Sequence, residues 1–336
     1  MSYLQKILFG GPGVGKSHKI ASILDDLKVS DINQTKTVFH PEYTYGDFMG
    51  KLLPLTVDSK IVYEYYPGYF LQTLAKAYRN ILINPTSPEP VALVIDEINR
   101  GNSSAIFGTV FQLLDRNEDG WSCYDTKLSK MEYVKLLELI GIEYRNKEYQ
   151  INQELYAYIR QEIKKDNFLE TRKDEIITFQ EKILLPLKIK NESIKIPPNM
   201  SLIATMNTSD NSIFYMDSAF KRRWDWEFVK GEKQNAKIDN LHDWSIFVDK
   251  LNRFFIEHSD SIRQIEDKQI GYWFIKARKQ NISMDDIKDK LLFFIWDSVF
   301  SRDKTGLKNL LGDENLITFN QFADQCAKFI STIMSR

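Results

Sequence analysis

The 336-residue sequence predicts an α/β fold, a parallel sheet flanked by helices, followed by an α-helical domain. Three stretches carry that expectation. Gly10-Gly11-Pro12-Gly13-Val14-Gly15-Lys16-Ser17 fits G-x-x-x-x-G-K-[ST] between an apolar run and a helical pattern. Val91-Ala92-Leu93-Val94-Ile95 reads as a strand buried on both faces, and it ends in Asp96-Glu97. From Leu241 onward the apolar residues recur mostly at helical spacing.

The first strand is expected over Leu4 to Phe9. His18 to Leu27 then set Ile20, Ile23, Leu24 and Leu27 on one helical face. Glycines between a strand and a helix let backbone N–H groups converge on phosphate oxygens, and the helix dipole favours the negative charge. Gly10, Gly11, Pro12, Gly13, Val14, Gly15, Lys16, Ser17 and the adjoining His18 are therefore the candidate nucleotide-binding residues. Lys16 would reach the β- and γ-phosphates, and the Ser17 hydroxyl would bind Mg²⁺.

Asp31 to Lys36 reads as a polar connection and Thr37 to His40 as the second strand, ended by Pro41. The aromatic-polar run from Tyr43 to Phe48 reads as loop residues packed under the core rather than a base-stacking surface. Gly68 to Ile83 carries a core-facing helical stripe that Pro85, Pro88 and Pro90 end. Two acids closing a buried strand need a reason, because uncompensated charge at a core edge is costly. Beside a phosphate loop, that reason is catalysis. Asp96 would hold Mg²⁺ through its water shell, and Glu97 would orient and polarise the attacking water. A helix is expected from Ser103 to Leu114.

Trp121 to Pro198 changes character and reads as a mostly helical, solvated insertion, with stripes at Tyr133, Leu136, Leu137 and Ile140 and at Leu155, Tyr156 and Ile159. Leu187 to Ile196 looks like a hairpin. Glu162-Ile163-Lys164 spells a fragment seen in metal-dependent nucleases, but it reads as part of a charged helix, so the chain is not expected to cut DNA itself. Met200 to Thr205 resumes the buried-strand pattern. Asn207 follows it, where a carboxamide can sit beside the γ-phosphate and share the catalytic water; Asp210 joins the candidate nucleotide contacts. Lys221-Arg222-Arg223 closes a short helix. Such a cluster ordinarily complements the helix dipole, but in a ring NTPase it is where a finger arginine enters the neighbour's site. A boundary near residue 235 separates a core of 1–235 from helices over 236–336.

Composition narrows the class. Forty-five Lys and Arg against 46 Asp and Glu leave a formal charge of −1, so no whole-protein attraction draws the chain to nucleic acid or anionic lipid. Cys123 and Cys326 stand alone, which excludes a disulfide framework or a zinc site and fits a reducing cytoplasm. The opening residues show no signal peptide, and runs such as Leu291 to Trp296 are too short to span a bilayer.

Several words narrow the reading further. Phe39-His40-Pro41 with Tyr45-Gly46-Asp47-Phe48 is similar to the FHP…Y-x-DF stretch of AAA+ motor subunits of McrBC-type, modification-dependent restriction systems. Asp96-Glu97-Ile98-Asn99-Arg100-Gly101-Asn102 matches that family's DEINRGN, and Met206 to Ser212 resembles its MNTADRS. Ala219 to Trp224 resembles A-x-RRRF, and Gln269-Ile270-Gly271 the start of QIGHSYF in the lid. The resemblance spans residues 3 to about 275. It implies an AAA+ P-loop core with a helical lid and a GTP-driven ring motor, commonly hexameric. It also implies Mg²⁺ as cofactor and a separate McrC-like nuclease subunit acting on modified DNA. Departures at Ser209, Asn211 and Tyr272 to Phe274 leave GTP and ATP both open. The family's usual DNA-reading domain would be absent, cut off, or on another polypeptide. A nucleotide-gated scaffold or a remodelling ATPase that moves no DNA is the rival reading.

Overall fold

The computed structural model describes residues 3–145, 148–151, 183–207 and 214–336. By compactness the chain divides into two units. The first comprises Met1–Ile7, Ile20–Thr205 and Ser212–Trp226. The second comprises Leu8–Lys19, Met206–Asn211 and Glu227–Arg336.

The expected sheet is present. In chain order come β1 (Gln5–Gly10), β2 (Gln34–Val38), a hairpin of β3 (Gly50–Val57) and β4 (Lys60–Pro67), and β5 (Val91–Asp96). The five-stranded sheet orders the Asp225–Phe228 strand, β1, the Met200–Asn207 strand, β5 and β2. Met200–Asn207 pairs parallel to β5 from Met200↔Val91 to Ala204↔Ile95. On the other side β2 pairs parallel to β5 from Gln34↔Ala92 to Val38↔Asp96. Val91 to Ile95 are buried, as a strand covered on both faces requires.

Helices α1 (Lys16–Asp26) and α3 (Tyr69–Ile83) follow the sequence pattern, whereas the run expected as loop winds into a short helix, α2 (Tyr45–Phe48). Along α3, Phe70, Leu71, Leu74, Ala75, Tyr78, Ile81 and Leu82 are buried. Thr44 caps α2 through a capping box with Asp47. Tyr43 and Phe48 lie in the core, as their reading as packed loop aromatics requires.

Several local expectations fail for identifiable reasons. The second strand begins at Gln34, not Thr37, after a turn at Asp31–Asn33. Thr35 and Thr37 point inward while Lys36 and Val38 face out, the alternation of an edge strand rather than an apolar run. The helix expected over 103–114 breaks at Gly108 (φ +48) into an α-helical Ser103–Phe107 and a 3₁₀ Gly108–Leu114. Leu187 to Ile196 is not a two-stranded hairpin. Ser193–Ile194 pairs instead with Thr126–Lys127, and only a single bridge joins Lys190 to Ser193. Within 121–198 the described residues give one substantial helix, Lys130–Ile140, and an antiparallel pair, Ile142–Arg145 with Glu148–Ile151. The stripe at Leu155 to Ile159 and the Glu162-Ile163-Lys164 fragment lie outside the described residues.

The β3–β4 hairpin is unforeseen. It pairs Gly50↔Pro67 through Val57↔Lys60 around Asp58 and Ser59, both at positive φ. Leu52, Leu55, Val57, Ile61 and Tyr63 on it are exposed.

The core of the first unit includes an aromatic knot. Phe107 packs 4.6 Å from Phe48 and 5.2 Å from Phe220 between ring centroids, with Trp224 edge-on at 6.2 Å. In the second unit the Trp244–Glu257 helix buries Phe247, Leu251, Phe254 and Phe255. Against them pack the π-wound turns Ile287–Leu292 and Ile295–Val299 and the Cys326–Ser335 helix, in one continuous apolar cluster. No helix among the described residues is long and apolar enough to cross a membrane.

Phe107→Ala should destabilise the first unit by about 3–5 kcal/mol, because it removes the ring at the centre of the knot and leaves a cavity. Phe107→Leu keeps most of that volume and should cost less. Denaturant unfolding of the two variants side by side checks the order.

Candidate functional site

The phosphate loop belongs to the second unit. Its chain runs off β1, and Lys16 opens α1. Gly13 and Gly15 take φ of +74° and +88°, a backbone that side chains rarely adopt. Turning the chain this way aims successive N–H groups into one concavity, and the first-turn N–H groups of α1 have no acceptor within the helix. The Lys16 ammonium donates to the carbonyls of Gly10 (2.9 Å) and Gly11 (3.1 Å) and to the Asn207 carboxamide oxygen. Lys16 and Asn207, 191 residues apart in sequence, therefore meet within one unit. Ser17 and His18 are exposed on the first turn of α1. A positive-φ glycine loop, a lysine donating to loop and carboxamide oxygens and an exposed serine hydroxyl suit a triphosphate with a hard cation.

The same unit presses a strap of its C-terminal region onto this loop. The Gly271 N–H donates to the Pro12 carbonyl at 2.9 Å, and the Trp273 N–H to the Gly13 carbonyl at 2.8 Å. A Cβ on Gly271 would lie 2.3 Å from the Gly13 oxygen, and one on Gly13 would lie 2.4 Å from the Phe274 backbone. Only glycine fits at either place. Tyr272 anchors the strap by donating to Asp249 at 2.6 Å. Burial, then the Asp249 carboxylate, pushes its phenol up to about 12, so it remains a donor at physiological pH. The Trp273 indole N–H donates to the Glu232 carbonyl, and the ring flanks Gly15. The sequence does not announce this contact, because its recognition is backbone to backbone.

The two acids belong to the first unit. Asp96 ends β5, and Glu97 follows in the left-handed region at φ 55°, ψ 46°. A non-glycine residue held there stores on the order of 1–3 kcal/mol, and such strain clusters at functional sites. Arg100 lies 3.9 Å from the Glu97 carboxylate, a loose and partly solvated pairing. Other residues of the Asp96–Asn102 motif pack and cap. Ile98 and Asn99 are buried, and Asn102 caps the Ser103–Phe107 helix by accepting from the Ala105 N–H. Sequence reasoning passed over Thr205. Its buried hydroxyl donates to Asp96 Oδ1 at 2.9 Å and accepts from the Glu97 N–H at 3.1 Å. A hydroxyl two residues before Asn207, near the end of a mostly apolar strand, was the available signal.

The paired arginines differ. Arg223 is 8% exposed at its side chain; its guanidinium pairs with Asp115 at 2.7 Å, donates to the Ala219 carbonyl, and lies 4.0 Å above the Phe111 ring. Arg222 is exposed. Asp210 lies outside the described residues. Among the described residues no three His, Cys, Asp or Glu side chains form a metal-binding group.

No protein-family model matches the chain. YdiS of Bacillus subtilis, a component of the type II restriction enzyme BsuMI, is 28% identical over 341 residues, covering 89% of this chain and 80% of that protein. The EcoKMcrB subunit of an Escherichia coli type IV methyl-directed restriction enzyme is 32% identical over 123 residues, 34% of this chain and 24% of that protein. A solved structure from Cytophaga hutchinsonii, provisionally described as an ATPase, aligns over 96% of this chain and 84% of its own at 10% identity. Its TM-score of 0.27 is too low to bear on the argument. The motifs, the parallel sheet and the two restriction-enzyme relatives together make the chain similar to McrB-like AAA+ subunits of restriction systems.

Proposed function

We propose that this chain is the nucleotide-hydrolysing motor subunit of a McrBC-like restriction complex, with a core of 1–235 and a lid of 236–336. It uses GTP or ATP, assembles as a ring, drives DNA past itself and activates a separate nuclease subunit. The observation that carries the reading is the Lys16 ammonium held between the phosphate-loop carbonyls and Asn207. That pairing puts a cation and a carboxamide at the mouth of a loop built for anions. The restriction setting is supported by the two relatives.

Ser17 and Asp96 are the residues that would hold Mg²⁺, which supplies charge neutralisation at the phosphates. The chain's own groups do the rest. Lys16 leaves its carbonyls for the β- and γ-phosphate oxygens. Gly10, Gly11, Gly13, Val14 and Gly15 contribute backbone donors, Pro12 shapes the loop without one, and His18 and Asp210 complete the nucleotide contacts. Glu97 accepts a proton from the attacking water. Asn207 orients that water and the γ-phosphate. Arg222 is the finger, because Arg223 already has its carboxylate and its ring. A guanidinium with that much bonding braces the Ser218–Lys221 helix end instead of reaching a neighbour.

Lys16→Ala should abolish tight binding of GTP and ATP, whereas Glu97→Gln should bind either normally and lose about 10²–10⁴ in turnover. Titration calorimetry with a turnover assay separates the two; equal loss of binding in both variants would remove Glu97 from its role.

Arg222→Ala should bind nucleotide normally and lose about 10³–10⁵ in rate. Arg223→Ala should instead destabilise the first unit by about 1.5–3 kcal/mol, since a charged hydrogen bond is removed. Mixing Arg222→Ala subunits with Glu97→Gln subunits should recover part of the activity, at interfaces where an intact finger meets an intact acid. Co-assembled mixtures that stay inactive at every ratio would place the finger elsewhere.

A further inference from the structure

Thr205 carries a role that none of the motif words assigns. It is the last residue of the first unit before the chain passes at Met206 to the second, and it is almost wholly buried. Its hydroxyl has one proton and accepting lone pairs. The proton goes to Asp96 Oδ1 and a lone pair takes the Glu97 N–H. One oxygen therefore ties together the acid that would hold the cation and the backbone of the acid that would activate water.

Both ties act on direction. A carboxylate fixed through one oxygen presents the other along a single line. The Glu97 backbone sits in a left-handed conformation that a side chain disfavours, and its N–H bond to Thr205 is one of the contacts that hold it there. Release of that N–H would let the turn relax and swing the carboxylate.

We propose that Thr205 is a positioning residue for nucleotide hydrolysis, its single hydroxyl setting the orientation of Asp96 and Glu97 together. This rests on the hydrolytic reading above. Groups that orient metal ligands typically cost 10–100-fold in metal affinity or activity when removed.

The test is a series at one position in the full chain. Thr205→Val keeps the shape and removes the hydroxyl; Thr205→Ser keeps the hydroxyl and removes the methyl. Three quantities are measured with GTP and with ATP: affinity without Mg²⁺, the gain in affinity on adding Mg²⁺, and kcat with KM. Thr205→Val should bind Mg²⁺-free nucleotide like the parent, lose most of the Mg²⁺-dependent gain, and fall about 10–100-fold in kcat with little change in KM. Thr205→Ser should return both to within about threefold of the parent. The proposal is overturned if Thr205→Val matches an active parent, or if Thr205→Ser is as impaired as Thr205→Val, which would make the methyl's packing the cause. It is also overturned if Thr205→Val loses Mg²⁺-free binding to the same extent. A parent chain that binds and hydrolyses no nucleotide overturns the functional reading and this proposal with it.

Discussion

A lysine ammonium at the head of a helix is an awkward charge, and much of the phosphate-loop unit follows from where it goes. The dipole of α1 repels it, so it must find oxygen. It finds the Gly10 and Gly11 carbonyls and the Asn207 carboxamide. Those carbonyls can turn toward it only because the loop adopts a backbone that glycine alone accepts readily. The same turn that gives the lysine its acceptors aims the N–H groups at an incoming anion. The lysine also fixes Asn207, the carboxamide proposed to read the γ-phosphate, beside the phosphate loop.

The acids answer to a different constraint. A buried strand that ends in carboxylates needs partners for them, and here a hydroxyl on the adjacent strand donates to Asp96 and accepts from the Glu97 backbone N–H. Parallel pairing supplies that neighbour directly, because Ala204 lies opposite Ile95 and the next residue on each strand is Thr205 and Asp96. The sheet thus does more than carry the acids to an edge. It places the group that orients them.

These two sites were legible in the sequence to different depths. The phosphate loop and the acids were readable because their chemistry restricts residue type at fixed spacing: glycine for the turn, lysine for the charge, carboxylate for the metal. The β3–β4 hairpin was not, because its turn uses Asp58 and Ser59 in place of glycine and its faces lack the polar alternation of an ordinary ribbon. The split between Arg222 and Arg223 was equally hidden. Adjacent identical residues look alike until tertiary packing sets Asp115 and Phe111 beside one of them. The early start of β2 was masked by threonines, which read as polar in a string and pack as β-branched core in a strand.

The interlocked glycines have an evolutionary consequence. A side chain on Gly271 would grow into the Gly13 backbone, and one on Gly13 into the Phe274 backbone of the strap. Neither position can drift alone toward alanine without pushing the strap off the loop. Over time the strap ties the fate of position 271 to the shape of the loop at position 13, although 258 positions separate them. A lineage that loses Gly271 has abandoned the contact, but Gly13 stays bound to glycine by its φ of +74°. Loss of Gly271 beside a retained Gly13 would therefore mark relatives that have exchanged the strap for another lid.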